Sequence, residues 1–397
     1  MVSYLTSCFG PENLSLAEDV VQETLAKALG QWPYRGVPQN PSAWLLTVAR
    51  NRALDILRVE RNRRSKVEEL GRIRAGEAPA EPRLEDPMFR DDQLRMMFLC
   101  CHPTLSPESQ VALVLKTLCG FSVEEIARGL RAKETAIAQR LVRAKNAIRE
   151  SGIPFEIPSP DDVTERLEVV YHALYQLFTK GYAEPSGADL VSRSLCEDAI
   201  YLASMLAENP LTETPVTHAL LALFHFQAAR LLARTDSAGE LLLLEDQDRS
   251  LWDRGQIERG FRHLNRAMRA ESPTRFHLEA GIAACHAGAT TYEDTDWRGL
   301  LELYDALVEL THSPIAALNR AVAAARVHGP QRGLEALDRI RDSKALEDYY
   351  LLPATYGALY QEIGDCARGA ACYHQALQCP CNEPEHRFLQ RRIASVS

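Results

Sequence analysis

SVEEIARGLRAKETAIAQRLVRAKNAIRE, residues 122–150, holds two helical patterns separated by a short break. Ser122 with Glu125 three residues on is the signature of a capping box, which satisfies two otherwise orphaned N–H groups and opens a helix. Ile126, Ala127 and Leu130 then share one face, and Ile137, Leu141, Ala144 and Ile148 recur at helical spacing beyond the break. Stripes this close in sequence bury each other when the helices fold back across Arg131-Ala132-Lys133, which is the layout of a helix-turn-helix. The second helix carries Lys133, Arg140, Arg143, Lys145 and Arg149 against only Glu134 and Glu150. In such motifs the start of the second helix meets base edges while flanking cations meet phosphates. Thr135, Ala136, Gln139 and Arg140 are therefore base-edge candidates, and Arg143 and Lys145 phosphate candidates. Lys133 stands at the cap position without a capping side chain, within reach of a phosphate. The competing reading is a helical hairpin with a solvated basic face.

A basic helix sits oddly in a chain of formal charge −9, but that charge is an average. Residues 1–150 carry 22 Lys and Arg against 19 Asp and Glu, and the remainder carries 23 against 35. A front of +3 and a back of −12 suggest a nucleic-acid-binding front and an acidic, regulatory or partner-binding back. The length of 397 residues exceeds one ordinary domain. No apolar run approaches the roughly 18 residues of a membrane span, and MVSYLTSCFG has no signal-peptide layout, so a cytoplasmic protein without membrane contact is expected. Ten scattered cysteines fit reduced thiols better than a disulfide framework.

The periodicity is helical nearly throughout, so an all-α fold is expected. Ser15 to Glu18 reads as a capping box for a helix reaching Trp32, with Pro33 ending it and the loop PYRGVPQN following. Asn40 and Pro41 then open a helix to about Arg61. Its inner stripe is read as Trp44, Leu45, Val48, Ala53, Ile56 and Leu57. The Pro- and Gly-rich stretch 67–90 and SGIPFEIPSPDD (151–162) read as linkers. They divide the chain into 1–66, 91–150 and 163–397. In the last segment Gly357, Tyr360, Gly369, Tyr373 and Ala376 have tetratricopeptide-like spacing, with a weaker echo at Gly333, Leu337 and Ile340. An α-solenoid of helix pairs is the expectation there.

The front half resembles the sigma-70 family of transcription initiation factors, and within it the extracytoplasmic-function group. AEDVVQETLAKAL (17–29) and NPSAWLLTVARNRALDILR (40–58) are similar to region 2. LSPESQVALVLKTLCGFSVEEIARGL with AIAQRLVRAKNAIRE (105–150) is similar to region 4. The resemblance implies two small helical modules that bind core RNA polymerase at the β′ coiled coil and the β-flap, and promoter DNA as duplex at −35 and single strand at −10. It assigns Asp19, Gln22 and Glu23 to polymerase. Those three lie on one helix face, opposite Val21, Leu25 and Ala28. Gln39, Asn40, Arg50, Asn51, Arg52 and Arg58 go to the −10 strand, and Lys133 to Lys145 to −35. The sequence departs from the family in its short first helix and in its long extension.

LLLLEDQDRSLWDR (241–254), DTDW (294–297) and SPIAALNRAVA (313–323) resemble segments of a tetratricopeptide-like extension found in a subgroup of these factors, which implies regulation in cis. Asp246, Asp248, Arg249 and Trp252 are candidates for contact with the front modules or a ligand. The alternative is an internal polar network stapling two helices. Cys100-Cys101-His102 is not read as a metal site, because adjacent helical cysteines point about 100° apart. The thiols Cys366, Cys372, Cys379 and Cys381 lack CxxC pairs, and no catalytic motif appears, so neither a cofactor nor an enzyme activity is expected. A tetratricopeptide-type scaffold or DNA-binding regulator acting without polymerase is the rival function.

Overall fold

The computed structural model describes residues 1–64, 87–183, 190–236, 240, 242–381 and 383–396. Among these the extended secondary structure is entirely helical, as the periodicity requires. The chain divides into two compact units, Met1–Gln176 and Leu177–Ser397, so the first turns of the helix Val163–Ala183 belong with the front unit.

In the first unit, α1 (Val2–Phe9), α2 (Leu14–Arg35) and α3 (Pro41–Arg64) enclose a core of Tyr4, Leu5, Ala17, Val20, Val21, Leu46, Ala49 and Ala53. The first half of the α3 stripe is thus shifted by one residue from its sequence reading, which holds at Ala53 and Ile56: Ala43, Leu46 and Ala49 are buried, while Trp44, Leu45 and Val48 are partly exposed. Alanines win this face because a methyl group lets α3 approach α1 and α2 closely, whereas the indole of Trp44 packs edge-on against Trp32 at 5.5 Å. Leu25 likewise leaves the expected stripe and is exposed.

Two helix boundaries also differ. A 3₁₀ turn, Pro11–Asn13, leads directly into α2, so Ser15 and Glu18 are inside the helix rather than at its cap. At the other end, α2 runs through Pro33 to Arg35. A proline this late removes one N–H from the final turn, and Gly36, at φ 81°, closes the helix by donating to the Trp32 carbonyl at 2.9 Å. Asn40 does cap α3, its Oδ1 accepting from Ala43 N at 3.0 Å.

The rest of the unit is α4 (Pro87–Cys100), α5 (Pro107–Thr117), α6 (Val123–Gly129), α7 (Glu134–Ser151) and the start of α8 (Val163–Ala183). Most of the proposed linker 67–90 lies outside the described residues, and α4 is already helical at Pro87. Met96, Met97, Phe98, Leu99, Cys100 and Cys101 are all buried, so the adjacent cysteines are core residues. Burial pushes the Cys100 thiol up to about 12.

The second unit stacks helix pairs. α9 (Leu190–Glu208) precedes α10 (Pro215–Ala229), whose side chains from Thr217 to Phe226 are buried. Contrary to the hydropathy expectation, the stretch Pro215–Ala233 is long and apolar enough to cross a membrane, with mean hydropathy 1.3, but 67% of it is buried inside the fold. α11 (Arg254–Ala267), α12 (Arg275–Gly288) and α13 (Trp297–Thr311) follow, then α14 (Pro314–His328) with α15 (Pro330–Asp338), and α16 (Leu351–Glu362) with α17 (Cys366–Ala376), before α18 (Glu383–Val396). The α16–α17 pair is close because both facing positions are glycine. A Cβ on Gly357 would lie 3.0 Å from the Tyr373 ring, and one on Gly369 would lie 3.2 Å from the Gly357 carbonyl oxygen.

Candidate nucleic-acid and polymerase interface

The helix-turn-helix forms as its stripes require. The Ser122 hydroxyl accepts from Glu125 N at 3.1 Å and the Glu125 carboxylate accepts from Ser122 N at 2.7 Å, which completes the capping box of α6. These bonds hold the Glu125 carboxyl below its usual range. Arg131 takes a left-handed φ of 51° and turns the chain, and Ala132 N donates to the Ala127 carbonyl at 2.9 Å. Ile126 and Ala127 of α6 and Ile137, Leu141, Ala144 and Ile148 of α7 are buried, with α7 packed on both α5 and α6.

That packing decides what α7 shows to solvent. Lys133, Thr135, Gln139 and Arg143 are exposed, while Ala136 and Arg140 are partly buried. Lys133 occupies the cap position in an extended conformation and makes no side-chain cap bond. An open cleft beside the turn is lined by Glu124, Arg128, Lys133, Glu134 and Thr135, with Arg128 paired to Glu124 at 2.9 Å. The Arg143 Nε donates to the Gln139 carbonyl at 3.3 Å, which leaves its other guanidinium donors directed outward from an exposed side chain.

Lys145 differs from its neighbours. It is partly buried and forms a close ion pair with Glu18 of α2, so it is not a free cation in this arrangement. Glu18 is itself buried, and its second oxygen, Oε1, has no hydrogen-bond partner among the described residues. Its local pattern with Ser15 points to a capping role instead. The signal missed was the pairing of an acidic residue on the inward side of one module with the one cation of α7 that flanks Ala144 on its buried side.

On α2 the exposed edge carries Asp19, Gln22 and Glu23, as expected, with Leu25 and Leu29 beside them at 37% and 78% exposure. From the sequence, Leu25 is expected on the opposite, buried stripe, and Leu29 is not singled out. Glu23 accepts a 2.7 Å hydrogen bond from Arg52 Nε, so one residue assigned to polymerase pairs with one assigned to DNA. The bond holds the Glu23 carboxyl below the usual carboxylate range. On α3, Asn51 and Arg58 are exposed, and Arg58 stands 3.9 Å from Asp55. Arg50 is partly buried beside Tyr4 and Cys8 of α1. Gln39 is exposed in the loop before α3, near the exposed Tyr34 and Val37. An exposed basic and amide-bearing helix preceded by a loop with apolar side chains is the kind of surface that holds unpaired strands.

The four candidates in the second unit separate into two kinds. Asp246 and Asp248 are exposed; Asp246 lies 4.0 Å from Arg392, and Asp248 caps a short 3₁₀ turn by accepting from Ser250 N at 2.8 Å. Arg249 and Trp252 are interior. Arg249 Nη1 donates to the carbonyls of His286 and Ala289, each at 2.7 Å, so it closes the C-terminal end of α12. No grouping of three or more His, Cys, Asp or Glu suited to a metal occurs among the described residues.

Residues 3–63 match Sigma-70 region 2, residues 95–148 match Sigma-70 region 4, and residues 166–268 match a family of unknown function, DUF6596. A protein of Rhizobium meliloti (strain 1021), described as uncharacterized, is 37% identical over 383 residues, 96% of this chain and 90% of that protein. A probable ECF RNA polymerase sigma factor of Mycobacterium tuberculosis, SigI, is 25% identical over 248 residues, 58% of this chain and 83% of that protein. No solved structure matches the chain.

Proposed function

Since this chain belongs to the sigma-70 family, as an extracytoplasmic-function (ECF) type factor with an added C-terminal helical domain, we propose how its own residues divide the work on core RNA polymerase and promoter DNA. The start of α7 enters the major groove at −35. Thr135, Ala136, Gln139 and Arg140 meet base edges there, and Lys133 and Arg143 meet phosphates. The acidic edge of α2, Asp19, Gln22 and Glu23, meets the β′ coiled coil. Gln39, Asn40, Arg50, Asn51, Arg52 and Arg58 hold the opened −10 strand. One observation carries this reading: α7 buries its whole apolar stripe against the neighbouring helices, α6 among them, and leaves Lys133, Thr135, Gln139 and Arg143 exposed.

The ion pair between Glu18 and Lys145 adds a step. Promoter elements about 25 base pairs apart are separated by roughly 85 Å at about 3.4 Å per pair. Two residues in direct contact, one on each module, cannot keep that contact when the modules sit at opposite ends of such a span. Loading on polymerase and promoter therefore breaks the pair, and Lys145 becomes available to a phosphate. The acidic C-terminal domain regulates this opening in cis, a reading motivated by the +3 and −12 division of charge.

Run-off transcription tests the main reading. The full chain added to core polymerase should give transcripts whose start points share an upstream two-part motif. Failure to co-purify with core polymerase, together with no promoter-dependent transcript, would refute it. For regulation in cis, chains ending at Gln176 and at Ser397 are compared after circular dichroism shows both to be helical. Equal promoter binding and equal transcription would remove that part.

A further inference from the structure

The second unit is rich in acid, and its exposed and half-buried arginines use it. Arg320 pairs with Asp305, Arg326 with Glu245 and Glu362, Arg387 with Glu240, and Arg392 with Glu245. Two arginines deeper in the unit do not. Arg230, at the C-terminal end of α10, and Arg249, in the turn before α11, make no ion pair among the described residues. They stand on the same indole, with Arg230 Cζ 5.8 Å and Arg249 Cζ 5.0 Å from the Trp252 ring. Asp253 N, donating to the Ala229 carbonyl at 2.9 Å, ties this turn to the end of α10.

The donors gathered here are not used up. Among the described residues, Arg230 Nε, Arg249 Nη2, Trp252 Nε1 and His286 Nδ1 are all buried without a hydrogen-bond partner. Arg249 Nη1, by contrast, donates to its two carbonyls. Burial, reinforced by Arg230 and Arg249, holds His286 down to about 3, so the ring is neutral and the local positive charge belongs to the two guanidiniums. The nearest acids acting on Arg249 are Glu293 and Asp294, both exposed and neither in an ion pair with it. An uncompensated buried charge costs several kcal/mol, and two side by side repel each other as well. Cation–π contact offsets only part of that.

We propose that Arg230, Arg249, Trp252 and His286 form a binding site for a small oxyanion, a carboxylate- or phosphate-bearing metabolite, in the C-terminal domain. The guanidiniums supply charge and forked donors, and the indole N–H supplies a neutral donor. Arg230 is the entry side. It is only partly buried and no hydrogen bond among the described residues tethers its side chain, so its rotation admits the anion to the donors beneath. The proposal concerns the extension alone and stands apart from the promoter reading.

Thermal unfolding of the full chain in inorganic phosphate, in succinate and in chloride at equal ionic strength tests the site, with titration calorimetry of the same anions. Phosphate or succinate should raise Tm relative to chloride, and which of them does so identifies the headgroup. Arg230→Met should weaken that anion by at least about tenfold, the loss expected for one charge-assisted contact. In chloride the same variant should unfold at the wild-type Tm or above it, because it removes an unpaired buried charge. A purely structural clamp gives the opposite sign, a lower Tm. Should Arg230→Met fail to fold, Trp252→Phe replaces it, keeping the aromatic face while deleting the N–H donor, and should weaken the anion too. Equal Tm in all three salts, no heat of binding, or undiminished binding by the variants overturns the proposal.

Discussion

Replacing Lys145 with methionine removes the one cation in contact with Glu18 while keeping most of the side-chain volume. Both partners are largely shielded, at 19% and 8% side-chain exposure, and Glu18 Oε1 has no other partner among the described residues. Exposed ion pairs contribute about 0–1 kcal/mol. Breaking a fully buried one costs about 3–5 kcal/mol, because the remaining charge is left uncompensated. The intermediate burial here places Lys145→Met at about 2–3 kcal/mol of destabilisation. Glu18→Gln, which leaves a lysine able to reach solvent, should cost about 1 kcal/mol. The double variant should recover most of the loss, for a coupling of about 1.5–2.5 kcal/mol. Urea unfolding of the four full-length proteins at neutral pH measures the cycle. A coupling below about 0.5 kcal/mol would show that the pair is absent in solution and would refute the closing contact.

The same variants make a second, independent prediction on DNA. If Glu18 withholds Lys145 from a phosphate, Glu18→Gln should tighten promoter binding in the polymerase complex by several-fold. Lys145→Met should weaken it and reduce the salt slope by about 1. Identical affinities for wild type and Glu18→Gln would mean that the pair does not compete with DNA.

Gln139→Ala should cost about 1–3 kcal/mol at one position of the −35 element and relax base preference there, whereas Arg143→Ala should weaken all sequences alike; gel-shift titrations on permuted promoters distinguish them. Stability should fall with acid. His263 is held down to about 4, by burial first and then by His225 and His218, and His286 to about 3. Both are therefore neutral in the native state but take a proton on unfolding below roughly pH 6.5, so each contributes stability that is lost as pH falls, about 1 kcal/mol each by pH 5.5. His263→Gln should flatten that pH dependence in thermal melts, and an unchanged slope would contradict it. Gly357→Ala should destabilise by about 1–3 kcal/mol, since its methyl group would sit 3.0 Å from the Tyr373 ring, whereas Gly30→Ala meets nothing within 4 Å and should be neutral or stabilising; denaturant midpoints compare the two.

Where the sequence alone was sufficient, the controlling interactions were local. The capping box at Ser122, the stripe of α7 and the Asn40 cap each depend on residues three or four apart, and each forms as read. The face of α3 was misjudged by one position because helical spacing weights Trp44 and Leu45 above alanine. In three dimensions the small Ala43, Ala49 and Ala53 are what let helices meet. Pro33 failed as a stop because a proline in a last turn forfeits a single bond.

The candidate site shows the same limit more sharply. Glu18 lies 127 residues from Lys145, and Ser15 stands three residues before it, so a local pattern offered a capping role that the fold does not use. Asp246, Asp248, Arg249 and Trp252 are nearly contiguous, and the resemblance of their segment puts all four under one assignment. The fold turns the two acids outward and the arginine and indole inward. That sorting is governed by the remote carbonyls of His286 and Ala289, to both of which Arg249 Nη1 donates. A charged residue in an acid-rich segment is therefore informative when it declines the acids around it. Arg249 does so with two carboxylates in its field, and Lys145 does the reverse by leaving a basic helix to find one buried acid.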